Sequence, residues 1–200
     1  MRRLKPAATS FMSKSTRMSK TTTGKVSLAR IGKYRLIYGY FMCAVALVLA
    51  THDVFLPGMA LALLGIALRI WSAGYIEKNS RLATGGPYSL CRNPLYLGSF
   101  IFGAGTAIAI RVWWLIPVYV VGFALFYWPT IANEQRFLMG KFGDEYADYC
   151  RRVPSFIPWK FSRGTGNFSF RNAMVNREHL HALASVIFLA VLTLVGHFRA

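Results

Sequence analysis

Residues 92–110 read RNPLYLGSFIFGAGTAIAI, and the fold turns on this stretch. Pro94 suits the first position of a helix, where its missing N–H costs nothing, and Asn93 before it is a good N-cap. An apolar run from Leu95 to Ile110 follows without a charge. A helix needs about 20 residues to cross a bilayer, so this run makes a membrane span only with flanking aromatics and snorkelling cations at its ends. Arg92 stands just outside the helix start, beside free N–H groups and the positive end of the helix dipole. That combination holds a carboxylate or phosphate as readily as it meets a lipid headgroup.

Outward from there, similar runs recur at Leu36–Ala50, Val54–Ala73, Val112–Ile131 and Leu180–Val195. With 54% hydrophobic and 16% charged residues over 200 positions, the composition is unlike a soluble domain of this size. The expected fold is therefore all-α, a multi-pass transmembrane bundle of about five helices with short cytoplasmic interfacial helices. The net charge of +17 follows a membrane pattern. Residues 1–35 hold ten Lys and Arg, the 74–94 loop three and residues 133–179 eight, while Arg111 and Arg199 remain for the opposite side. The positive-inside rule then places the N-terminus and both intervening loops in the cytoplasm. In a bacterium the membrane would be the inner one. No nucleic-acid recognition fold accompanies the charge. Three cysteines, two of them in the expected cytoplasmic segments, argue against disulfides. The four histidines form no metal-ligand pattern, so no metal is expected.

Along the chain, residues 1–33 read as a basic disordered tail drawn to anionic lipid. A membrane core over 34–159, an interfacial linker over 160–179 and a closing helix over 180–200 complete the organisation. Arg69 near the end of the second helix either snorkels or pairs with Glu77 or an anion. Ser99, Gly103 and Ala107 form a small-residue stripe on the third helix, better suited to helix packing than to a ligand gap. Tyr127 and Trp128 are aromatics of an interfacial belt that would also suit a wall beside a cation. Glu134 leaves the fourth helix on the face of Leu138 and Phe142, where an unpaired carboxylate needs a partner such as Arg92, Arg151 or a bound ligand. Gly143 fits a left-handed helix cap, and the short helix after it puts Tyr146, Tyr149 and Cys150 on one face.

Two spaced motifs carry a family resemblance. The first is Gly86, Pro87, Tyr88, Arg92, Asn93, Pro94, Tyr96 and Gly98. The second, about forty residues on, is Glu134, Leu138, Phe142, Gly143, Tyr146, Tyr149, Val153, Pro154 and Pro158. Together they resemble the isoprenylcysteine carboxyl methyltransferase family and its phospholipid methyltransferase relatives over roughly residues 56–159. Asn93 stands where the family's Arg-His-Pro form has His, Gln135 where many members have a second Glu, and no Arg precedes Glu134.

The resemblance implies S-adenosylmethionine as cofactor and a methyl transfer to a lipophilic or membrane-associated acceptor, namely an isoprenylcysteine-type carboxylate, a lipid amine or a thiol. Membrane lipids and a lipidated acceptor are the implied partners, with oligomeric state open. Arg92 and Glu134 become the implied catalytic pair. Pro87, Tyr88, Arg92, Asn93, Pro94, Tyr96, Gly98, Glu134, Tyr146, Tyr149 and Arg151 become the implied cofactor contacts. Two other readings stay open. One is an NADPH-dependent membrane reductase of the sterol reductase type, for which Arg151, Arg152 and Lys160 would hold a 2′-phosphate. The other is a non-catalytic lipid-binding protein.

Overall fold

The computed structural model describes residues 23–77, 81–159, 162 and 164–200, with side chains from residue 33 onward. The chain forms α1 (Thr23–Leu49), α2 (Leu56–Ala73), a 3-10 turn (Gly86–Ser89), α3 (Pro94–Ala109), α4 (Leu115–Arg152), α5 (Phe170–Val175) and α6 (Glu178–Arg199). No strand occurs among the described residues, so the expected all-α membrane bundle is what the chain forms. Among the described residues three helices, α2, α4 and α6, are long and apolar enough to cross a membrane, and α3 is a shorter apolar helix. The beginning of the expected basic tail lies outside the described residues, but α1 already starts at Thr23, inside that segment.

The bundle is built on α2 against α3. A Cβ added to Gly65 would lie 2.5 Å from the backbone nitrogen of Phe102 and 2.7 Å from the carbonyl oxygen of Gly98. Approach this close needs glycine, and dispersion between backbones replaces a side-chain interlayer. Gly98 and Gly105 face α2, whereas the expected stripe turns elsewhere: Gly103 packs against the Tyr119 ring of α4 and Ala107 is buried in the core, as packing predicts, while Ser99, Gly103 and Ala107 also border an internal cavity. The helix turns by about 100° per residue, and the two sets lie on neighbouring faces.

Helix α4 is 38 residues long, about 57 Å at 1.5 Å per residue, well beyond a hydrocarbon core of about 30 Å. Glu134 lies about 29 Å from its start by the same rise, at the far edge of the apolar layer. Beyond it the helix bends at Gly143, whose φ of 51° is positive as expected. Its ψ of −122° is not that of a left-handed cap, and the helix resumes directly.

Within the expected linker, α5 covers the end of α2. The Ser169 amide donates to the Gly74 carbonyl at 3.0 Å, and Asn176 Nδ2 donates to the carbonyls of Ala73 at 2.9 Å and Ile76 at 3.0 Å. At the opposite end of the bundle, His197 Nδ1 lies 3.2 Å from Asp53 Oδ1 and Arg199 donates to the Leu47 carbonyl at 2.9 Å. These contacts return α6 to the α1–α2 hairpin.

Candidate active site

The first motif is held in shape by the second. Gly86 takes a φ of 55° to open the 3-10 turn, and Ser89 Oγ closes it by donating to the Gly86 carbonyl at 2.6 Å. The Arg92 amide donates to the Pro154 carbonyl at 2.9 Å, and Tyr149 donates its hydroxyl to the Tyr88 carbonyl at 2.7 Å. Asn93 occupies the N-cap position of α3 but makes no cap hydrogen bond. Its Nδ2 donates to the carbonyl of Ser155 at 2.8 Å, and Gln135 Nε2 donates to Ser155 Oγ at 2.8 Å. The local preference for capping loses here to a buried long-range contact: Asn93 is 6% exposed, and an unsatisfied amide there would be costly. Pro94 starts α3 as expected.

Above this platform lies a cavity of about 430 Å³, a size typical of small-molecule sites. Its polar end carries Arg35, Arg69, Tyr88, Arg92, Asn93, Tyr96 and Glu134. Arg35 Nη1 donates to the Tyr96 hydroxyl at 3.0 Å, and that hydroxyl donates to Glu134 Oε2 at 2.9 Å. The Arg35 guanidinium also sits 5.5 Å from the Tyr96 ring centroid and 5.9 Å from that of Tyr127. A cation between two aromatic faces and a carboxylate marks this corner as one that stabilises positive charge. Arg92 Nη1 donates to Cys150 Sγ at 2.6 Å, while its Nε is buried without a hydrogen-bond partner. A guanidinium that lines a cavity with no carboxylate among its described contacts is suited to a carboxylate or phosphate.

Outside the spans, burial first and the Glu134 carboxylate second hold the Tyr88 phenol well above its ordinary range, so it is a neutral hydroxyl. Burial pushes the Cys91 thiol up to about 11, which leaves it inert as a nucleophile at neutral pH.

The expected site residues divide into three groups. Tyr88, Arg92, Asn93, Tyr96 and Glu134 meet on the cavity wall. Pro87, Pro94 and Gly98 are buried behind it and shape the backbone. Tyr146 and Tyr149 pack with Val153, Leu138 and Phe142 beneath the platform, and they act on the wall through Tyr88 and Arg92. Arg151 pairs with Asp148, with its side chain 73% exposed, away from the cavity. Tyr127 lines the cavity, but Trp128 is 60% exposed and does not. The partner found for Glu134 is Tyr96, with Arg35 one hydrogen bond beyond, in place of Arg92 or Arg151.

Arg69 neither snorkels nor meets Glu77. Its Nε donates to Glu178 Oε1 at 2.7 Å and its Nη2 to Oε2 at 3.0 Å, a bidentate pair, while Nη1 meets Ser99 Oγ. Sequence reasoning missed Arg35, Glu178 and the cavity face of α6. An acid opening the last apolar run was the one visible hint for Glu178.

Residues 34–145 match the model of a family described as phospholipid methyltransferase. The chain belongs to the phospholipid methyltransferase family. It is 41% identical over 106 residues to the cobalt-zinc-cadmium resistance protein CzcN of Cupriavidus metallidurans, covering 50% of this chain and 49% of that protein. It is 32% identical over 87 residues to protein-S-isoprenylcysteine O-methyltransferase B of Arabidopsis thaliana, 42% of each chain. Over 82 residues it is 37% identical to methanethiol S-methyltransferase 1 of Bradyrhizobium diazoefficiens, 38% of this chain and 25% of that one. The chain thus spans about half the length, or less, of these curated relatives. No solved structure matches it. The phospholipid methyltransferase match includes Arg35, Arg69, Tyr88, Arg92, Tyr96 and Glu134, and it ends before Tyr146, Tyr149 and α6.

Proposed function

We propose that this protein transfers the methyl group of S-adenosylmethionine to a lipophilic or membrane-associated acceptor at the cytoplasmic face of the membrane. The observation that carries the reading is one cavity whose polar end gathers Arg92, Tyr96 and Glu134 and whose remaining wall, from membrane helices, is mostly apolar with a few hydroxyls and His181. When bound, the cofactor supplies an activated methyl on a positively charged sulfur. Arg92, which lines the cavity, would hold its carboxylate, and Glu134 with Tyr96 would accept or share hydrogen bonds from its ribose or amino group. Tyr96 and Tyr127 would give the sulfonium aromatic faces, the role Arg35 fills beside them. Tyr146 and Tyr149 support the wall from behind, and Pro87, Pro94 and Gly98 fix its backbone.

A carboxylate or thiolate acceptor is already nucleophilic and needs no base, whereas an ammonium must first lose a proton. Rate acceleration would then come from alignment and from excluding water in an apolar channel. The relatives' printed names include isoprenylcysteine and methanethiol methyltransferases, which supports methyl transfer and spans two acceptor chemistries. Arg151 and Arg152, the described part of the cation cluster that a 2′-phosphate would require, do not line the cavity; Lys160 lies outside the described residues.

The test is binding to protein in nanodiscs. S-adenosylhomocysteine should bind saturably and NADPH should not. Saturable NADPH binding with none of S-adenosylhomocysteine would overturn the reading, and binding of neither would leave a lipid-binding protein. Labelled methyl transfer to N-acetyl-S-farnesylcysteine, to n-alkanethiols and to phosphatidylethanolamine vesicles then identifies the acceptor head.

A further inference from the structure

The cavity is long and narrow. Its lining runs from Asn93 to Ala107 along α3 and from Arg35 to Ala46 along α1, about 21 Å and about 16 Å at 1.5 Å per residue. Away from the polar end the lining continues between helices, where an extended apolar chain fits alongside them. One side of this channel is supplied by α6, through His181, Ala184, Ser185 and Phe188.

Glu178, His181, Ser185, Phe188 and Leu192 recur at helical spacing and share one face of α6. The face grades from charged and polar beside the polar end of the cavity to aromatic and aliphatic deeper in the bundle. Phe188 meets the Phe102 ring edge-on at 6.1 Å, and Leu192 is fully buried in the same core. The bidentate Arg69–Glu178 pair fixes the height of this face against α2. Glu178 is 4% exposed, so the pair is a buried register mark and not a surface contact.

None of α6 belongs to the stretch that matches the family, while the residues of the polar end all do. The relatives that share only a part of this chain carry names with different acceptors. A wall built outside the shared part is where acceptor choice can vary without disturbing the cofactor end.

We propose that α6 is the acceptor-selecting wall, with Ser185 and Phe188 setting the length of lipophilic chain the site accepts and Glu178 acting as a positioning residue for that wall. The inference rests on the methyl-transfer reading above.

The experiment uses the full chain in nanodiscs, with S-adenosylhomocysteine affinity as one readout. The other is kcat/KM over an alkyl-chain series on the best acceptor head among the farnesylcysteine, thiol and lipid-amine probes. Ser185→Trp should shorten the longest chain tolerated and Phe188→Ala should lengthen it, with roughly fourfold lost or gained per methylene excluded or admitted. S-adenosylhomocysteine affinity should stay within about twofold in both variants. Wild-type chain-length profiles in both variants would overturn the proposal, since α6 would then be packing alone. Loss of S-adenosylhomocysteine binding in both would overturn it differently, by making α6 a support of the cofactor end. Absence of transfer by the wild type to every probe would sink the methyl-transfer reading itself.

Discussion

Arg92 has its charge balanced by no carboxylate among its described contacts; it touches a thiol and keeps one donor free. Lys at this position would retain the charge and lose the planar fork. Arg92→Lys is expected to weaken S-adenosylhomocysteine binding by roughly tenfold or more, the equivalent of one charge-assisted hydrogen bond, with the melting temperature little changed. Titration calorimetry beside a thermal melt checks both halves. At Glu134 the matching change is Glu134→Gln, which keeps shape and removes charge. Methyl transfer should fall by roughly tenfold while the protein stays inserted and folded; a fall in stability with normal ligand binding would instead make Glu134 a structural partner of Tyr96 and Arg35. The two cysteines beside this site should differ sharply. Cys91 is 1% exposed with its thiol held up to about 11, so its thiolate is scarce at mildly alkaline pH, whereas Cys150 is half-buried. Maleimide labelling followed by peptide mapping should find Cys150 modified and Cys91 intact until the protein is denatured.

At the scale of elements, the α2–α3 contact sets the geometry of the platform. Gly65→Val should force the helices apart, with an overpacking cost of about 1–3 kcal/mol read as a lowered melting temperature. The helices themselves were legible in the sequence because long apolar runs have few alternatives. Arg92, Asn93, Pro94, Tyr96 and Glu134 were legible as candidates because two spaced motifs resemble those of the family. What escaped was decided by packing between distant elements. Nothing local tells Asn93 to forgo the cap of its own helix for Ser155, 62 residues later. Nothing in the small-residue stripe says that Gly103 meets Tyr119 of α4 while Gly98 and Gly105 meet α2. Arg35 sits among basic residues whose composition reads as headgroup binding, and its place over Tyr96 follows only once α1 lies against α3 and α4.

For the whole molecule, we propose from the distribution of cations a cytoplasmic N-terminus and a C-terminus on the opposite side. Reporter fusions at the two ends should read opposite compartments, and matching compartments would mean that one apolar helix does not cross. Breaking the pair alone, as in Glu178→Ala, should lower the melting temperature, because Arg69 would keep only the Leu95 carbonyl and Ser99 as partners. Replacing both partners together, Arg69→Met with Glu178→Leu, should recover most of that stability in a melt, since an apolar pair of similar volume needs no compensation.

The separation of that pair along the chain also bears on how the protein is made. Arg69 enters the bilayer with the second helix, but its carboxylate arrives 109 residues later, at the start of the last one. Until then the nascent protein holds an unmatched guanidinium about one turn from the end of a span, at a cost below the roughly 3 kcal/mol of an Arg at its centre. Final closure of the bundle therefore waits for the synthesis of α6. Chains released early, before residue 178, should be recognised as unfinished and degraded faster than the full-length protein in a pulse–chase, and the same truncation carrying Arg69→Met should live longer.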